Sequence, residues 1–100
     1  PYLLPTRRRL RTRFLNLVGQ LGQVYETSSA RDRAVSLYRH AIEIDPYADV
    51  LYRRLMACLS EGGRPAEAEG VYRQCETMLA TVSAAPSVEL RNLFQSLRRD

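Results

Sequence analysis

Hydropathy along the chain predicts an all-α fold, an antiparallel array of about five helices. Two observations carry this. Apolar residues fall at helical spacing in five stretches while none alternates with period two, and the pattern of the first pair of stretches returns 34 residues later. One hundred residues, 45% apolar and 26% charged, have the composition of one globular domain with a single modest core.

The first helix is predicted from about Thr6 to Thr27, with Leu10, Phe14, Leu17, Val18, Leu21 and Tyr25 on one stripe. Ahead of it, Tyr2, Leu3 and Leu4 lie between two prolines and read as a non-helical apolar arm, packed on its own bundle or on a neighbour. The second helix spans roughly Arg31 to Ile44 on Ala34, Tyr38, Ala41 and Ile42, and Ser29 with Asp32 has the spacing of a capping pair. Asp45-Pro46 breaks the chain, since proline at a helix start gives up no needed donor. The third helix uses Leu51, Tyr52, Leu55 and Leu59 and stops at Gly62-Gly63, where positive φ costs little. The fourth begins near Pro65 and carries Ala68, Val71, Tyr72, Cys75 and Leu79. After a loop of small residues from Ser83 to Pro86, Ser87 caps a fifth helix carrying Leu90, Leu93, Phe94 and Leu97. Short connections make consecutive helices antiparallel.

At an offset of 34, Leu17 falls on Leu51, Leu21 on Leu55, Tyr25 on Leu59, Ala34 on Ala68, Tyr38 on Tyr72 and Ala41 on Cys75. Small residues let paired helices approach and large ones fill the space beside them. The expected organisation is one domain over residues 1–100, with repeat one at about 15–46, repeat two at about 49–80 and a closing helix at 87–98. Because the chain opens on Pro1 and not Met, it is expected to be a piece of a longer protein.

Charge is lopsided. Residues 1–25 hold Arg7, Arg8, Arg9, Arg11 and Arg13 and no acid, a charge of +5, whereas the other 75 residues sum to −1. All fifteen cations are arginine, planar forks suited to carboxylate or phosphate. Two readings of the cluster stand side by side: salt-sensitive contact with DNA phosphates, or a solvated face that pairs with acids of a partner. No helix-turn-helix signature or zinc-finger spacing offers a base-reading element. Enzymatic classes lack parts. Cys58 and Cys75 have only His40 as a base, and neither a glycine-rich phosphate loop nor a metal-ligand spacing is present, so no catalytic, cofactor or metal residues are assigned. The cysteines read as buried reduced thiols, His40 as a surface residue, and Tyr25, Tyr38 and Tyr72 as core. No apolar run approaches a membrane span.

Leu21-Gly22-x-x-Tyr25, Ala34, Tyr38, Ala41 and Asp45-Pro46 resemble a tetratricopeptide repeat, with Val18 replacing its tryptophan and Ser29 its turn glycine. In the second unit Met56 stands where a small residue is usual. The run from Ile44 to Leu79, followed by APSVELRNLFQSLR, is similar to the bacterial transcriptional activator domain of antibiotic-regulator-type and related activators. Gly63-Arg64, Glu67-Ala68, Tyr72, Pro86-Ser87 and Phe94 carry that likeness, as does PYLLP before an arginine-rich helix.

The resemblance implies a right-handed superhelix in a cytoplasmic transcriptional regulator. Its partners would be its own DNA-binding domain, another subunit or the transcription machinery, with DNA read by a missing domain. A peptide-binding scaffold with no DNA role is the alternative. It also implies a groove faced by Asn16, Gln23 and Glu26 from the first unit and Arg53, Ser60 and Glu61 from the second, with no carboxylate clamp because Gly19 stands where a cation is wanted. A two-repeat array exposes its end faces, so a homodimer is expected.

Overall fold

The structure, a computed structural model, describes residues 3–99. Five α-helices follow one another: α1 Leu3–Thr27, α2 Arg31–Ile44, α3 Asp49–Glu61, α4 Pro65–Ala80 and α5 Val88–Arg99. Among the described residues there is no strand. Each helix packs on the next in the chain, and α5 also returns to α3, giving a slab 47 × 33 × 19 Å whose thin dimension is that of two helix layers.

The boundaries differ from expectation at the start of the chain. Leu3, Leu4 and Pro5 belong to α1 and do not form a separate arm; Tyr2 lies outside the described residues. Pro5 is tolerated because first-turn N–H groups have no carbonyl partner within the helix, so its missing donor costs nothing there. Pro46 sits in the turn before α3, not in its first turn, and the Tyr52 hydroxyl donates to the Pro46 carbonyl at 2.6 Å.

Helix ends repeat with the same period as the side chains. α1 ends with Ser28 N–H donating to Val24 C=O and Ala30 N–H to Tyr25 C=O; α3 ends with Gly62 donating to Cys58 and Arg64 to Leu59, each position 34 later. Between them Ser29 (φ 61°) and Gly63 (φ 76°) take the left-handed conformation that closes such a turn. Ser29 therefore ends α1 and does not cap α2. The N-cap of α2 is Ala30, which makes no side-chain bond, and Asp32 acts only as a first-turn acid facing the helix dipole.

The core runs through the middle of the slab and is richest in α3, where Leu51, Tyr52, Leu55, Met56, Cys58 and Leu59 are all buried. Ala34, Ala41 and Ala68 are buried at the close approaches, as their size requires. The two repeats solve one packing problem differently. Tyr38 is wholly buried over Gly22, whereas Met56 fills the matching place in repeat two and Tyr72 stacks on Phe94 with centroids 4.1 Å apart. Ser87 caps α5 as predicted, its Oγ accepting from Leu90 N–H at 3.2 Å. Asp49, in the first turn of α3, accepts from both Ser87 Oγ (2.8 Å) and Ser87 N–H (3.0 Å) and so pins the start of α5 to the start of α3.

Candidate protein-contact surface

α1 has one face in the fold and one outside it. Val18 is buried, and Phe14, Leu15 and Tyr25 pack half-buried against the core. Leu10, Leu17 and Leu21 stand 60%, 58% and 42% exposed, and Val24 joins them at 58%. The predicted single stripe is thus two, and only one of them enters the core. The cause lies in the order of packing. Leu51, Leu55 and Cys58, the residues 34 beyond Leu17, Leu21 and Val24, are buried at 0%, 1% and 1% because α3 has α2 on one side and α4 and α5 on the others. α1 packs chiefly on α2, with no helix outside it among the described residues. Val24 was missing from the sequence pattern, although its spacing from Leu17 and Leu21 marks it.

Arg7, Arg8, Arg9, Arg11 and Arg13 are all exposed along the first half of α1. Arg11 reaches Asp45 at the end of α2, Nε to Oδ2 2.6 Å, and ties this half of the helix down. Among the described residues the other four have no acid within salt-bridge distance. The pairs Arg7/Arg11 and Arg9/Arg13 each oppose the helix by a few tenths of a kcal/mol, roughly.

The expected groove is only partly assembled. Asn16 and Gln23 line a cleft between α1 and α3 together with Gln20, Val50 and Arg54. Arg53, Ser60 and Glu61 are not on its wall: Arg53 and Glu61 are exposed on α3, and Ser60 is half-buried. The Arg54 guanidinium lies over Gly19, with Nη2 3.1 Å from where a Cβ would stand. A cation from the next repeat therefore occupies the place that sequence reading left empty. Glu26 turns to the interior, where its Oε2 accepts the Tyr38 hydroxyl at 2.6 Å. Burial and this carboxylate push the Tyr38 phenol well above its usual range.

The chemistry elsewhere is quiet. Cys58 and Cys75 are free and buried, and burial pushes both thiols up to about 12, so they stay protonated at neutral pH and make poor nucleophiles. Burial raises Tyr52 to about 12 as well. His40 is exposed on α2, and among the described residues no three His, Cys, Asp or Glu side chains gather as metal ligands. No helix of the described residues is long and apolar enough to cross a membrane.

The fold defines a class: an all-α helical-repeat module whose first helix carries an exposed apolar face beside four arginines, both without partners among the described residues. Comparison with known families is more specific. The model of the bacterial transcriptional activator domain matches residues 1–98, and the chain belongs to that family, which is regulatory and not a family of enzymes. No curated protein and no solved structure matches the chain.

The residues that carried the likeness are structural. Gly63 supplies the left-handed turn, Arg64 at the N-cap of α4 forks onto Glu67, and that guanidinium lowers the Glu67 carboxyl from its usual value. Arg39 reaches the same carboxylate from α2 at 3.6 Å.

Proposed function

We propose that this chain is the protein-contact domain of a bacterial transcriptional regulator, with α1–α2 and α3–α4 as its two repeats and α5 closing them. It acts in the cytoplasm by self-association, or by docking on its own DNA-binding domain or another transcription component. DNA sequence is read by a different segment. The observation that carries this is the exposed stripe of Leu10, Leu17, Leu21 and Val24 on a helix whose repeat-two counterpart is covered. Burying the exposed half of each such side chain against a partner contributes about 1 kcal/mol, before the cost of association. Family membership favours this over a peptide scaffold with no role in transcription.

A second reading rests on Arg7, Arg8, Arg9 and Arg13, which lack acid partners among the described residues and suit phosphate as well as carboxylate. Fluorescence anisotropy of a labelled random-sequence duplex across a salt series separates the two. Protein contact predicts no saturable binding at physiological salt. Binding that weakens steeply with salt and is lost in the Arg7→Ala, Arg8→Ala, Arg9→Ala triple variant makes α1 a phosphate-contacting helix and overturns the first reading.

A further inference from the structure

The spacing of the exposed stripe says more than that a partner exists. Leu10, Leu17 and Val24 recur at intervals of seven with Leu21 beside them, all exposed, the repeat of a helix that pairs with another helix along its length. Repeat two shows that a helix is what this face takes: Leu51, Leu55 and Cys58 are buried on α3, which packs between α2 and α4. Within the described chain, α2 and α4 are already engaged, and the remaining exposed apolar residues (Leu4, Ile44, Tyr47, Val82 and Val88) are scattered over turns and helix ends. The extended free apolar helix face this chain offers is that of α1 itself.

We propose that the stripe on α1 pairs with the same stripe of a second copy, antiparallel, with the two-fold axis at Leu17; this rests on the protein-contact reading above. Two features select the arrangement. Leu10 and Val24 lie seven residues either side of Leu17, so an antiparallel pair sets Leu17 on its own copy and Leu10 against the partner's Val24, a self-complementary contact. Charge decides the direction. A parallel pair would lay Arg7, Arg8, Arg9, Arg11 and Arg13 beside the same five residues of the other copy. The antiparallel pair lays them beside residues 21–27, whose one charged side chain is Glu26. The arginines of the two copies then point to opposite ends of the pair.

Sedimentation velocity and cysteine cross-linking test this together. The unaltered chain is expected to sediment as a dimer at about 100 µM, a concentration at which a micromolar complex is nearly saturated. Leu17→Glu, which stays folded by circular dichroism because position 17 is outside the core, is expected to sediment as a monomer. On mild oxidation Leu17→Cys alone should give a disulfide-linked dimer. Leu10→Cys and Val24→Cys should each fail alone and cross-link when mixed. Cys58 and Cys75 are buried and stay out of this chemistry. A monomeric unaltered chain, or a dimer unchanged by Leu17→Glu, overturns the proposal. Cross-linking of Leu10→Cys alone overturns the antiparallel arrangement. A monomer whose stripe is still required for gene regulation would assign the face to another protein, leaving the protein-contact reading standing.

Discussion

A methyl group on residue 22 would sit 2.1 Å from the Tyr38 hydroxyl oxygen and 2.4 Å from the ring carbon that bears it. Tyr38 is fully buried and its hydroxyl is held by Glu26, so neither ring nor helix can yield cheaply. Gly22→Ala is expected to destabilise the fold by about 2–3 kcal/mol through overpacking. Ser29 is the opposite case: a residue with a Cβ held at φ 61° in a turn where the second repeat uses Gly63. Ser29→Gly is expected to stabilise by about 0.5–1 kcal/mol, the relieved left-handed strain being partly offset by unfolded-state entropy. Urea denaturation of both variants checks the pair, which should move the midpoint in opposite directions. Both positions were visible in the sequence as members of a repeat pattern. What Gly22 makes room for was not, because Tyr38 reaches it across a turn from the neighbouring helix.

At the scale of the element, α5 is held by a contact that local reading misses. Ser87 announces itself as a cap because a hydroxyl three residues before Leu90 is placed to accept that N–H. Asp49 reads only as a first-turn acid of α3, although its carboxylate takes two hydrogen bonds from a residue 38 positions later. Removing it leaves the Ser87 N–H and hydroxyl unpaired beside the core. Asp49→Ala is expected to cost about 1.5–3 kcal/mol, the range for hydrogen bonds to a charged group. Amide hydrogen exchange across α5 should quicken before that of α2 and α3. Protection of α5 equal to that of the unaltered chain would show that the stacked Tyr72 and Phe94 hold it alone. α1 gives the complementary lesson. Its apolar positions and their period were legible, but which of them meet the core depends on which neighbours surround the helix, and a periodic pattern does not contain that.

For the whole molecule, the antiparallel order and the repeat of 34 follow from short turns and matched small and large residues, and both were readable in the chain. So was the segregation of charge, +5 in the first 25 residues against −1 in the rest. Of the expected groove set only Asn16 and Gln23 line the cleft between α1 and α3; Arg53 and Arg54 are neighbours in sequence, and only the latter reaches it, over Gly19. The arrangement that results keeps most of its core in α2 to α5, joins α1 to it through Val18 and its neighbours, and leaves α1 as an arginine-rich helix with one face free. The measurement that tests this account most directly replaces Leu17 and Leu21 by glutamine in the gene and follows the transcripts that change when the gene is deleted. The account predicts that the purified variant keeps its helical circular-dichroism spectrum, since neither side chain is in the core, while those transcripts shift to the deletion level. A folded variant that leaves every one of them unchanged would contradict it.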